Sequence, residues 1–146
     1  MKKKNIKKTI VIASDHAGYD LKSSIKKFLL KKRTKVIDLG TNSTDSVDYP
    51  DYAHLLSKKI KKDKTVGILV CGSGTGMSIT ANRHKNVRAA LCYNIKSTKL
   101  SRQHNNANVI TIGARLTKKN VALKCVNTFI KTKFIRGRHL QRINKI

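Results

Sequence analysis

The chain has 146 residues, of which 33 are Lys or Arg and only 7 Asp or Glu, for a formal charge of +26 at pH 7. Hydrophobic residues make up 39% and there is one proline, so a single globular domain over residues 1–146 is expected and a low-complexity chain is excluded. No apolar run approaches membrane-spanning length, and Ile10–Ala13 is too short for the core of a secretory leader behind the basic Met1–Lys4.

Cys71, Cys92 and Cys125 are odd in number and widely spaced, without a CxxC or zinc-ligand pattern. A reducing cytoplasm and no metal site are the corresponding expectations. The charge has two readings. Lys and Arg neutralise phosphates, which suits a nucleic-acid binder. Against this, the lysines are spread along the chain in pairs such as Lys26-Lys27, Lys58-Lys59 and Lys118-Lys119, as on solvated helix faces. A surface role without specific nucleic-acid recognition is the preferred expectation, with weak attraction to polyanions.

Taken in chain order, a basic extension (1–8) leads into Thr9–Ser14, a β-branched run that reads as a buried first strand. Leu21, Ile25, Phe28 and Leu29 then recur at helical spacing, with Lys22, Lys26 and Lys27 assigned to the polar face. Lys35–Leu39 reads as a second strand, stopped by Gly40 and a polar turn. After Tyr49-Pro50, the spacing of Tyr52, Leu55, Leu56 and Ile60 predicts a second helix. Val66–Val70 is a third strand and Thr75–Arg83 a third helix; Arg88–Cys92 is a fourth strand and Ser97–His104 another helix. Asn108–Ile112 makes a fifth strand ending at Gly113. Val121, Ala122, Cys125, Val126, Phe129 and Ile130 stripe a long helix, and the basic tail (136–146) is helical after Gly137. Regular alternation with short connections predicts a three-layer α/β/α sandwich around a five-stranded parallel sheet.

Ligands in such sheets sit beyond the carboxyl ends of the strands. Asp15-His16, Cys71–Gly76 and Gly113-Ala114-Arg115 all follow strands, and so share one edge. Most informative is Cys71-Gly72-Ser73-Gly74-Thr75-Gly76. Alternating glycines let the backbone turn and present N–H groups to an oxygen that becomes negative during reaction. N–H dipoles at a helix start also favour charge on a thiol placed there, making Cys71 a candidate base or nucleophile. No Gly-Lys-Ser/Thr follows, so this is not a Walker loop, and Met77 stands where a dinucleotide fingerprint needs Gly. A plain strand-to-helix turn with a buried cysteine is the alternative.

Asp15 and His16 suit sugar hydroxyls and phosphate, although Asp15 equally suits a helix cap. His104 can act as acid or base near neutral pH, or simply face solvent at a helix end. Arg115, Arg138 and Arg142 stand out in a chain that otherwise prefers Lys, because a guanidinium offers phosphate a fork. Arg138 and Arg142 are four apart, on one helix face. Tyr49 lines a site or merely makes a turn; Cys92 and Cys125 read as core.

Ser14–Gly18, Asp48-Tyr49-Pro50, Cys71–Gly76, Ser101–Asn105, Gly113-Ala114-Arg115 and Gly137-Arg138-His139 occur together in this order. From about Thr9 to Arg142 the chain resembles type B ribose-5-phosphate isomerases. The resemblance implies a Rossmann-like fold and a homodimer or homotetramer with composite sites. It also implies interconversion of ribose 5-phosphate and ribulose 5-phosphate through a cis-enediolate, without metal or cofactor, in the non-oxidative pentose phosphate pathway. By the same resemblance Cys71 is the base and the Gly72, Ser73, Gly74, Thr75 and Gly76 backbone the anion hole. His104 assists ring opening, and Asp15 and Asn105 hold sugar oxygens. Phosphate meets His16, Arg115, Arg138 and Arg142. Some members carry a Glu base shortly after the loop; Met77 at that position leaves Cys71 as the candidate. An isomerase of a six-carbon sugar phosphate is the runner-up, and a basic nucleic-acid-binding module the alternative of a different class.

Overall fold

The computed structural model describes residues 7–146, so most of the expected N-terminal extension, residues 1–6, lies outside the described residues. The elements follow the order β1 (Thr9–Ser14), α1 (Tyr19–Lys31), β2 (Val36–Asp38), α2 (Tyr49–Ser57), β3 (Thr65–Cys71), α3 (Thr75–Ala81), β4 (Ala89–Leu91), α4 (Ile95–Asn105), β5 (Val109–Gly113), α5 (Lys119–Lys131) and α6 (Gly137–Ile143). The five strands form one sheet in the order β2-β1-β3-β5-β4, with every pairing parallel. The sandwich and its parallel sheet are as the alternation predicts.

Period-two geometry divides the core between the two faces of the sheet. Ile10, Ile12, Val66, Ile68, Val70, Ile110 and Ile112 pack on one side against Leu21, Ile25 and Leu29 of α1 and Ala122, Cys125, Val126 and Phe129 of α5. Val11, Ala13, Leu69, Cys71 and Val109 face the other side, against Ala53 and Leu56 of α2 and Met77 and Ala81 of α3. Cys92 and Cys125 are core residues, as expected. Met77 is fully buried and fills the α3 side of the core.

Local chemistry sets the helix starts. Pro50 occupies the first turn of α2 and Asp51 lies there with it, favourable against the helix dipole. α4 begins at Ile95 rather than Ser97 because the Asn94 side chain accepts the Ser97 N–H at 2.7 Å.

One assignment is overturned. Lys22 is not on a solvated face: it is 1% exposed, and its ammonium contacts Asp38 Oδ1 at 2.7 Å and donates to the Thr41 carbonyl at 2.6 Å. α1 turns this position toward β2, a direction that hydrophobic spacing alone does not distinguish from the helix flank. Asp38 also receives the Gly40 N–H at 2.9 Å and Lys26 at 3.2 Å. Burial by itself would push the Asp38 carboxyl up, but the Lys22 and Gly40 hydrogen bonds and the nearby ammonium charges outweigh it and hold the group below its ordinary value.

The folded state therefore binds the Asp38 proton less readily than the unfolded chain. Its stabilising contribution is present above the unfolded carboxylate value of about 4 and is lost as pH falls through the lower folded-state value. Urea unfolding at pH 5 and pH 3 should show a steeper acid loss in wild type than in Asp38→Asn; equal losses would remove this linkage.

Candidate active site

The strand order reverses at β1, which pairs β2 on one side and β3 on the other, leaving a crevice beyond the carboxyl ends of β1 and β3. A cavity of about 400 Å³ lies there, bordered by Asp15, Tyr49, Cys71, Ser73, Arg115 and Leu116. A larger cavity, about 520 Å³, reaches Lys8, Asp63 and Arg102 near the opposite edge; neither Cys71 nor the glycine loop lines it, so the smaller one is the candidate site.

Cys71 closes β3 and is 4% exposed, with its sulfur accepting the Gly74 N–H at 3.1 Å. That bond anchors the side chain where the strand turns into α3. Gly74 holds φ +77°, and a Cβ there would lie 2.7 Å from Leu91 Cδ1 and 2.9 Å from the Gly113 nitrogen. Only glycine meets both demands. Among the described residues, the N–H groups of Ser73, Gly76 and Met77 have no backbone or side-chain acceptor. They are available to an oxyanion, whereas Thr75 N–H already donates to Ser73 Oγ at 3.3 Å.

Asp15 is buried and accepts the Gly18 N–H at 3.0 Å through Oδ1. It thus fixes the turn before α1, whose cap residue is Gly18 rather than Asp15, and it borders the cavity. His16 Nδ1 accepts the Val47 N–H at 3.2 Å, leaving Nε2 as the potential donor. Arg115 is exposed, with its guanidinium folded over Gly72: a Cβ on that glycine would lie 3.1 Å from Nη1.

His104, Asn105, Arg138 and Arg142 do not line this cavity. α4 starts just beyond the carboxyl end of β4 and its last residues feed into the amino end of β5. Over 11 residues it carries His104 about 15 Å toward the opposite edge. There His104 stacks on His139 of α6, with ring centroids 4.2 Å apart at 12°, and Ile135 N–H donates to the Gln103 carbonyl at 2.9 Å. His139 is held below the ordinary imidazole range, first by desolvation and then by the charges of His104, Arg138 and Arg142. Arg138 and Arg142 are exposed on α6. The expected site residues thus fall into two groups: Asp15, His16, Cys71–Gly76 and Arg115 at one edge, His104, Asn105, Arg138 and Arg142 at another.

A family model for ribose/galactose isomerases matches residues 10–146. The chain belongs to the ribose/galactose isomerase family. Among solved structures, ribose 5-phosphate isomerase B of Thermotoga maritima is 48% identical, with a TM-score of 0.91 over 94% of this chain and 95% of that one. The Mycoplasma genitalium ribose-5-phosphate isomerase B, solved with bound ribulose-5-phosphate, is 44% identical with a TM-score of 0.93, covering 97% of this chain and 95% of that one. Ribose-5-phosphate isomerase B of Escherichia coli is 38% identical over 140 residues, 95% of this chain and 94% of the relative. The ribose-5-phosphate isomerase resemblance in the motifs is thereby upheld.

One cavity residue carries little sequence signal. Leu116, 73% exposed, follows Arg115 without any pattern that marks it. Tyr49, read from the sequence as either site or turn, opens α2 and borders the cavity, and a Cβ on Gly76 would come within 2.5 Å of its ring. Gly76→Ala should displace Tyr49, lower kcat/KM at least about tenfold and cost about 1–3 kcal/mol of stability. Adding Tyr49→Ala should recover part of the melting temperature but not the activity; an unchanged melting temperature in the single variant would show that the contact is absent.

Proposed function

We propose that this member of the ribose/galactose isomerase family interconverts D-ribose 5-phosphate and D-ribulose 5-phosphate, a step of the non-oxidative pentose phosphate pathway. The observation that carries the reading is its likeness, over nearly the whole chain, to a relative solved with ribulose-5-phosphate. The pentose reaction is favoured over six-carbon substrates because the named solved relatives are ribose-5-phosphate isomerases. A nucleic-acid-binding role would leave the Cys71 cavity and its glycine loop without a task.

Isomerisation needs a base beside the carbon acid, donors for the developing oxyanion and an anchor for phosphate. Cys71 at the cavity floor is the base that takes the C2 proton of the open-chain aldose and returns it to C1. The free N–H groups of the Ser73–Met77 turn face the enediolate oxygen. Asp15 orients a sugar hydroxyl, and His16 Nε2 and Arg115 meet the phosphate. His104 opens the furanose ring, Asn105 holds a sugar oxygen, and Arg138 and Arg142 complete the phosphate anchor.

The second group comes from a second copy of the chain, because α4 carries His104 away from Cys71 within one chain. The apolar residues Leu116, Tyr93, Ile79 and Ile95 are 73%, 60%, 59% and 45% exposed and give that copy a surface to cover. Both features support a homodimer or homotetramer with composite sites. Free thiols at Cys71, Cys92 and Cys125 suit a reducing cytoplasm. No described helix is long and apolar enough to cross a membrane.

Cys71→Ala should lose at least about a thousandfold in kcat with KM for ribose 5-phosphate little changed, in the presence of EDTA. Near-normal turnover would remove Cys71 as the base. His104→Asn should impair the furanose more than an open-chain analogue.

Shared sites predict complementation. Cys71→Ala and His104→Asn chains, unfolded together and refolded as an equimolar mixture, should recover roughly a quarter of wild-type activity if a dimer assembles at random. One intact site then forms in each mixed dimer. A mixture no more active than its components would place His104 in the same chain's site.

A further inference from the structure

An ammonium as deeply buried as that of Lys22 is expensive to keep. Desolvating the charge costs free energy that a Met of similar length would not, and Lys22 lies in the first turn of α1, where the helix dipole disfavours a cation. Its contacts indicate what it achieves. Lys22 Nζ meets Asp38 Oδ1 at 2.7 Å and the Thr41 carbonyl at 2.6 Å, and lies 5.6 Å from the centroid of the Tyr19 ring. Asp38 Oδ1 in turn takes the Gly40 N–H at 2.9 Å. The backbone beyond β2 is thus tied to α1 at Asp38, Gly40 and Thr41.

That tie joins two segments that border the cavity. Just before the helix that carries Lys22 lies the Asp15–Gly18 turn. Downstream of Thr41 the chain reaches Val47, whose N–H donates to His16 Nδ1 at 3.2 Å, and then Tyr49 at the cavity wall. The Ser14 N–H donates to the Gly40 carbonyl at 2.8 Å and the Thr41 N–H to the Ser14 carbonyl at 2.9 Å, so the clamped turn sits directly against the end of β1.

We propose that Lys22 is a positioning residue for the isomerase site, clamping the 38–48 segment so that Val47 fixes the His16 ring and Tyr49 closes the cavity beside Cys71. It touches no substrate; it acts through His16 and Tyr49. A residue that merely supported the fold would change melting temperature and leave the kinetics of the folded enzyme alone. A clamp changes how substrate is held.

The test compares wild type with Lys22→Met, and with Lys22→Met/Asp38→Asn, in which no carboxylate is left facing an apolar side chain, should the single variant fail to fold. Kinetics on ribose 5-phosphate are measured well below each melting temperature, and the His16 ring nitrogens and Val47 amide are followed by 15N NMR. The expected result is a loss of at least about tenfold in kcat/KM, carried mainly by KM, with the His16 Nδ1 and Val47 signals displaced. KM and kcat within about twofold of wild type in the folded variant, with both signals unmoved, would overturn the proposal. The kinetic arm rests on the proposed reaction. An inactive wild type would count against that reaction, and the NMR signals alone would then decide the clamp.

Discussion

The site depends on one strand. β3 is buried along its whole length, pinned between β1 and β5, and its alternation sends Val66, Ile68 and Val70 to one face and Leu69 and Cys71 to the other. Shifting this strand by one residue would send its side chains to the wrong faces, so burial on both faces of the sheet holds the register. Cys71 inherits that rigidity. Its position at the last paired residue of the strand, opposite Gly113, places a thiol in a defined location without any flexible segment of its own.

Around this anchor the loops are held by polar contacts rather than apolar packing. Asp15 accepts the Gly18 N–H in the turn before α1, Gly74 N–H meets the Cys71 sulfur, and the Lys22–Asp38 pair secures the approach to Tyr49. Buried polar groups are costly unless satisfied, and satisfied ones specify a single arrangement. An edge built in this way trades stability for definition, which suits the proposed proton transfer between adjacent carbons.

The charge of +26 finds little use inside the fold. Among the described residues the ion pairs are those of Lys22 and Lys26, both to Asp38. Arg102 is buried and donates to the Thr132 carbonyl and Asn106, and Arg88 donates to the Asn105 and Asn106 carbonyls, but most of the other cations are exposed and together make a field. Such a field raises the local concentration of anionic sugar phosphates and makes association sensitive to salt, consistent with the proposed substrate and requiring no polyanion partner.

The sequence by itself determined the alternation of strands and helices and the parallel sheet. It also marked the edge where Asp15, Cys71–Gly76 and Arg115 meet. These follow from local rules: apolar periodicity, glycines at a turn, and short links between alternating strands and helices. Tertiary structure decided the rest. Lys22 reads as solvated by its helical spacing, yet the packing of α1 on β2 brings a carboxylate and a carbonyl to it. Tyr49 reads equally as turn or site until Gly76 is seen to leave room for its ring. His104 carries the chemistry of an active-site residue, but the length of α4 sets it at the far edge of its own chain. Spacing along a sequence records which face a residue occupies on its own element; which other element meets that face is settled only when the layers pack.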